Sequence, residues 1–168
     1  MKRVLILVES GYEEFELWVP YYRLLEEGIA VVCVGPKAGA VYAGKHGIEA
    51  RAEIAFSQAD AQDAQAVLIP GGWAPDRLRT HPEAVALVQS AHEHGVVIAA
   101  ICHAGSLLVS ANIVRGRRLT SYRSIRDDLR AAGAEWVDEP VVVDGNLITS
   151  RTPSDLPAFL RAILAAIR

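Results

Sequence analysis

In Ala99-Ala100-Ile101-Cys102-His103-Ala104-Gly105, a cysteine stands where an apolar, strand-like run gives way to a helix-like one. A residue on such a junction occupies a strained turn that presents its side chain, as a hydrolase nucleophile elbow does. Helix-end amides and the helix dipole favour a thiolate, so a lowered thiol pKa is expected for Cys102. His103 follows as a candidate proton acceptor or donor. Neighbours on one elbow are not easily placed in line for attack on an amide, which weighs against a peptidase. A second cluster, Pro70-Gly71-Gly72-Trp73-Ala74-Pro75-Asp76, follows another apolar run. Its paired glycines, Gly71 and Gly72, allow backbone N–H groups to turn toward a developing oxyanion. The third, Glu13-Glu14-Phe15-Glu16, opens a helical segment. Glu13 and Glu14 are ordinary first-turn acids. Glu16 instead sits beside the apolar Leu17 and Pro20. A carboxyl in such a pocket has a raised pKa and can stay protonated, donating to a nearby sulfur.

These clusters need a scaffold, and the chain alternates strand-like and helix-like segments. Apolar runs cover 3–8, 30–35, 66–69 and 96–101. Helical spacing covers 13–27, 81–94, roughly 103–112, 124–132 and 154–167. A short strand is expected near Leu119. Hairpins are expected over 41–51, around Gly47, and over 141–149, with Asp144-Gly145 as the turn; both read as decorations on the sheet. Strand–helix alternation implies a mostly parallel sheet covered on both faces, with ligands at the carboxyl ends of the strands, after Val8, Ile69 and Ile101.

The 168 residues read as one domain, with no linker or repeat. Apolar residues make up 51%, charged residues 22%, and the net charge is −3, which argues against a nucleic-acid partner. No apolar run reaches a membrane span. The first residues do not read as a signal peptide, so a cytoplasmic location with both cysteines reduced is expected. Cys33, inside an apolar run, reads as core. His92 and His94, two apart, make no metal pair, and no metal or organic cofactor is expected. His81 reads as a surface residue, and Arg115, Arg117 and Arg118 as a solvated patch. His103 is the last histidine, so a histidine from further along the chain cannot serve Cys102.

Taken together, Ala100-Ile101-Cys102-His103, Pro70-Gly71-Gly72 with Ala74-Pro75, Gly44-Lys45-His46-Gly47, Thr120-Ser121-Tyr122 and Ser150-Arg151-Thr152-Pro153 resemble the PfpI intracellular peptidases of the ThiJ/PfpI superfamily. The resemblance runs along nearly the whole chain. It implies a flavodoxin-like three-layer sandwich related to class I glutamine amidotransferases. It implies Cys102 as nucleophile, His103 as base, Glu16 against the sulfur, and backbone amides of Gly72 and His103 or nearby residues in the oxyanion role. Glu13, Trp73 and Tyr122 are then expected to line the pocket. It further implies a homo-oligomer, dimer or hexamer, in which a glutamate from a neighbouring subunit completes the triad. Here that position is Asp76, one methylene shorter. Two other departures are Cys-His-Ala-Gly for the usual Cys-His-Gly-Pro, and Arg123 where a proline is common.

On chemistry, a glyoxalase or deglycase acting on methylglyoxal-type dicarbonyls or their early adducts is preferred. The alternatives are an intracellular cysteine peptidase and a non-catalytic redox sensor or chaperone-like stress protein.

Overall fold

The computed structural model describes residues 3–168. In chain order the elements begin with β1 (Arg3–Leu7), α1 (Glu14–Glu26), β2 (Ala30–Gly35), β3 (Val41–Ala43), β4 (Glu49–Arg51) and β5 (Ile54–Ala55). Next come β6 (Ala64–Ile69), α2 (Ala74–Leu78), α3 (Pro82–Glu93), β7 (Val97–Ile101) and α4 (Gly105–Ser110). The chain closes with β8 (Arg118–Leu119), α5 (Arg126–Ala131), β9 (Glu135–Trp136), β10 (Val141–Asp144), β11 (Leu147–Ser150) and α6 (Leu156–Ile167).

Seven strands form one sheet in the order β10-β11-β7-β6-β1-β2-β5. Every pairing from β11 to β5 is parallel, and only β10 runs against its neighbour. The interior strands are apolar on both faces: Val4 to Val8, Ala66 to Ile69 and Ile98 to Ile101 are all buried. A strand covered by helices on each side requires that pattern. α1 and α6 pack together, and α2, α3 and α5 pack around or beside α4. α6 buries Leu156, Phe159, Leu160, Ile163 and Leu164, the 3–4 spacing of one helical face. The expected flavodoxin-like arrangement is therefore present.

One expectation about its edge needs correcting. The 141–149 hairpin is no decoration: β11 pairs in parallel with β7, so the hairpin supplies two strands of the main sheet. Thr149 and Ser150 are buried there, and the Thr149 hydroxyl accepts the N–H of Thr120 at 2.9 Å. The 41–51 hairpin does stand apart, as the two-stranded β3–β4 unit. α2 was not expected; Pro75, with its fixed φ and no N–H to satisfy, fits its first turn. Arg117 is not solvated either. It is largely buried and bonds to Asp144 at both the carboxylate and the carbonyl. Likewise His81 is held, its Nε2 2.8 Å from Glu9.

The sheet reverses winding direction at β1: the chain passes from β1 to β2 on one side, then returns to place β6 on the other. At that crevice the loops after β1 and β6 are laced together. The Trp73 N–H donates to Gly11 O at 2.8 Å, Glu13 N–H to Gly71 O at 3.2 Å, and Tyr12 bridges Gly72. Gly72 has φ +76°, and a β-carbon there would lie 2.5 Å from Gly11 O and 2.6 Å from Glu13 N. Gly72→Ala is therefore expected to destabilise the fold by more than ~1 kcal/mol. A melting temperature equal to wild type would show that this crossing is looser than described.

Candidate active site

Cys102 leaves the end of β7 with φ +63°, the left-handed region that a side chain rarely adopts. Holding it there costs on the order of 1–2 kcal/mol. The turn is stabilised by its surroundings: Tyr122 N–H donates to Cys102 O at 2.9 Å. The twist swings the sulfur back toward the next side chain, and Sγ lies 3.2 Å from His103 Nδ1. The other ring nitrogen, Nε2, lies 3.1 Å from the Ser124 hydroxyl, and the ring stacks on Tyr122 with centroids 4.9 Å apart. Burial, and then the positive charge of Lys45, pulls the His103 pKa below its ordinary value. The imidazole is neutral near pH 7 and free to accept a proton.

Glu16 is fully buried. Its position follows from the start of α1, where the Glu13 carboxylate caps the helix by accepting the Glu16 N–H at 3.0 Å. Glu16 Oε1 accepts the Gly71 N–H at 2.8 Å, and Oε2 has no hydrogen-bond partner. Burial, only partly opposed by the Gly71 N–H, pushes its pKa up to about 8. The expectation of a protonated carboxyl at neutral pH agrees with this arrangement. Gly71 is the wall between the acid and the thiol. A β-carbon there would come within 2.6 Å of Glu16 Oε1 and 2.7 Å of Cys102 Cβ.

The lowered thiol pKa expected for Cys102 does not follow from the site. Cys102 is 9% exposed. Burial first, and the Glu16 carboxylate second, push the thiol up to about 12. The backbone N–H groups of Gly72 and His103, and the charge of Lys45, pull the other way and are outweighed. Helix position alone was a poor guide, because it ignored the cost of burying the charge. Since Glu16 itself holds a proton up to about pH 8, its push on the sulfur is absent at neutral pH. The two acids form one proton-coupled pair.

The remaining residues sort by position. Gly72 presents its N–H to the sulfur. Glu13 faces a cleft of about 700 Å³ with Phe15, Trp18 and His46. Tyr122 lines a separate cleft of about 320 Å³. Trp73 is exposed, its ring lying against Gly11. Asp76 is exposed on α2, and within the chain it makes no hydrogen bond or ion pair among the described residues. Among the described residues nothing brings it to His103, whose outer nitrogen instead meets Ser124.

Four residues that the sequence reading gave no part in the site position it. Ser124 was seen only as a helix start. Lys45 sits in the β3–β4 loop, and its charge acts on Glu16, Cys102 and His103. Glu14 ties that loop down: its Oε2 accepts the N–H groups of His46 at 2.8 Å and Ile48 at 3.2 Å. Tyr12 adds a bond to Ile48 O at 2.6 Å. The signal for Lys45 was present in Gly44-Lys45-His46-Gly47, but only the fold brings that loop over the site.

Comparison with known proteins gives a consistent result. The DJ-1/PfpI family model matches residues 2–166. A deglycase of Pyrococcus abyssi is 43% identical over 166 residues, covering 99% of each chain. A Bacillus subtilis relative bearing the provisional name of a cysteine protease is 39% identical over 167 residues, again 99% of each. Among solved structures, a two-domain protein of Anabaena variabilis, with DJ-1/ThiJ/PfpI-like and ferritin-like domains, superimposes with a TM-score of 0.96 at 42% identity. That match covers 98% of this chain and 48% of the two-domain protein, so the chain spans about half of it.

The buried carboxyl has a consequence for stability. The folded protein keeps the Glu16 proton up to about pH 8, whereas the unfolded chain releases it near the ordinary 4.5. Between those values the folded state binds more protons, so the contribution present at low pH is lost as pH rises through about 8. The melting temperature of wild type is expected to fall more steeply from pH 5 to pH 8 than that of Glu16→Gln. Parallel curves would mean that Glu16 ionises as an ordinary carboxylate.

Proposed function

The chain belongs to the DJ-1/PfpI family, and from that premise we propose that it is a cysteine-dependent glyoxalase or deglycase. Its substrates are methylglyoxal-type dicarbonyls or their early adducts on amines and thiols. The observation that carries this reading is the proximity of Cys102 Sγ to His103 Nδ1, 3.2 Å away, with the buried Glu16 carboxyl just across Gly71 from the cysteine. The deglycase names of close relatives support it.

The chemistry balances within the substrate. Cys102 Sγ adds to the aldehyde carbon and a C–S bond forms. The thiol proton passes to His103 Nδ1 and on to the new alkoxide, giving a hemithioacetal. The N–H groups of Gly72 and His103, already directed at the sulfur, lie on the side where negative charge develops. An ionised Glu16 then takes the proton from the sulfur-bearing carbon and returns it to the neighbouring carbon, while the hydroxyl proton of the hemithioacetal passes to the neighbouring carbonyl oxygen, giving a thioester of a 2-hydroxy acid. Water releases the acid and restores the thiol. One carbon is oxidised and its neighbour reduced, so no external oxidant is needed. For an adduct, the amine or thiol departs as the C–S bond forms. A base with a pKa of about 8 suits this role: it is protonated while the thiol adds, yet within reach of ionisation at neutral pH.

Peptide hydrolysis asks for more. An amide leaving group must be protonated by an imidazolium that a third group orients, and among the described residues the partner of His103 on that side is the Ser124 hydroxyl. The peptidase reading therefore depends on an oligomer in which a second copy brings Asp76 to the site. We propose that assembly as part of this reading, with light scattering as its check. The described residues hold no helix long and apolar enough to cross a membrane, and a cytoplasmic stress-protective role fits the proposed chemistry.

Turnover of methylglyoxal and of a fluorogenic peptide separates the readings. Wild type is expected to consume methylglyoxal and form lactate, and Cys102→Ser to lose at least about a hundredfold in kcat/KM. Glu16→Gln is expected to lose about a hundredfold in kcat, because it keeps the hydrogen bonding of the carboxyl but cannot move the proton. In wild type, kcat should rise with pH through a limb near 8. Peptide cleavage without methylglyoxal turnover would select the peptidase reading. Absence of both would leave the redox or chaperone role.

A further inference from the structure

The outer edge of the His103 ring is held by a turn that lies well beyond it in the chain. That turn, Arg123–Ile125, is anchored to the cysteine elbow on both sides of His103. On one side the Tyr122 N–H donates to Cys102 O at 2.9 Å. On the other, Ile125 is buried, and a β-carbon at Gly105 would stand 3.2 Å from its Cδ1. Between these anchors the turn grips the imidazole on a face and on an edge. The Tyr122 ring stacks on it with centroids 4.9 Å apart, and the exposed Ser124 hydroxyl lies 3.1 Å from Nε2. The other nitrogen, Nδ1, lies 3.2 Å from Cys102 Sγ. Among the described residues no carboxylate bonds to the ring, and the charge that acts on it is that of Lys45 in the β3–β4 loop. With Nδ1 on the sulfur, Nε2 is the ring atom left for Asp76 of a second copy, and Ser124 stands against it.

We propose that Ser124 is the positioning residue of the Cys102 base: its hydroxyl accepts the Nε2 proton of His103, so that Nδ1 faces the sulfur bare. A neutral imidazole carries one N–H, and a hydrogen on Nε2 leaves the lone pair on Nδ1. The transfer then balances at the ring. The S–H bond breaks as Nδ1–H forms, Nε2 keeps its hydrogen on Ser124, and Nδ1 returns the proton to the substrate's alkoxide. The inference deepens the carbonyl reading above and rests on it only for that last step. A hydroxyl differs from the carboxylate of a hydrolase triad in carrying no charge. It orients the ring without holding it as an imidazolium, so the proton is passed on rather than stored. That suits addition of a thiol to a carbonyl, which needs the proton back at once. It does not suit amide cleavage.

Nitrogen NMR and thiol alkylation test this without turnover. In histidine-labelled wild type, with the His103 signals identified by their loss in His103→Gln, Nε2 is expected to be protonated and Nδ1 bare at pH 8. A hydrogen on Nδ1 would overturn the proposal. The variants separate charge from shape, with alkylation of Cys102 by iodoacetamide at pH 7 followed by mass spectrometry. Ser124→Ala is expected to react roughly three- to tenfold more slowly, the worth of one hydrogen bond, and Ser124→Thr to stay within about twofold of wild type. Ser124→Asp is expected to raise the His103 pKa by at least about one and to speed alkylation at least about threefold. Ser124→Asn, neutral and of the same size, should do neither. Because Ser124 is exposed, melting temperatures should match wild type throughout. Alkylation at the wild-type rate in Ser124→Ala would overturn the proposal, and so would Ser124→Asp and Ser124→Asn behaving alike. If these readouts come out as expected and methylglyoxal is not consumed, the role of Ser124 stands and the carbonyl reading fails.

Discussion

The site is built around two buried acids, and a charge on one makes the other harder to ionise. Glu16 is sealed from water with one oxygen on the Gly71 N–H and the other unpartnered, and the Cys102 side chain lies just across Gly71. An ionised Glu16 in that place opposes ionisation of the sulfur. A protonated Glu16 removes that opposition and offers a donor instead. Burial is the larger obstacle to ionising the sulfur and the carboxylate the second, and burial also raises the carboxyl itself to about 8. The chemistry proposed needs both states of Glu16 in turn: proton held while the thiol adds, proton released when a C–H bond must break.

Much of the remaining structure keeps that pair in place. The strained φ of Cys102 turns the sulfur toward His103, and the crossing of the loops after β1 and β6 requires glycine at 72. Gly71 allows the acid and the thiol to sit on either side of a bare backbone. Glu14 and Tyr12 hold the β3–β4 loop, so that the Lys45 charge offsets part of the burial cost for both acids. Without that cation two buried acids would be costlier still.

How far this was legible in the sequence depended on whether the signal was local. Continuous apolar runs identified β1, β2, β6 and β7, because strands buried on both faces leave no other pattern. Cys102, Gly72 and Glu16 were singled out from local context as well: a strand-to-helix junction, a glycine pair after a strand, an acid amid apolar residues. The 141–149 hairpin was found but misplaced, since nothing local distinguishes a decoration from a sheet edge; its pairing with β7 is a long-range fact. The thiol's ionisation was misjudged for the same reason. Helix position is read from neighbouring residues, whereas burial is imposed by elements far away in the chain. Lys45 and Ser124 were missed because each lies far from Cys102 in sequence and meets the site only through the fold. Asp76 was proposed through resemblance alone, and it has no hydrogen bond or ion pair among the described residues.

Infrared difference spectroscopy of wild type against Glu16→Gln, followed from pH 5 to pH 10, tests the central claim most directly. The account predicts a protonated-carboxyl band that is present at pH 7, is lost through a titration near 8, and is missing from the variant. A band already gone at pH 6, with Glu16 titrating near its ordinary 4.5, would contradict it.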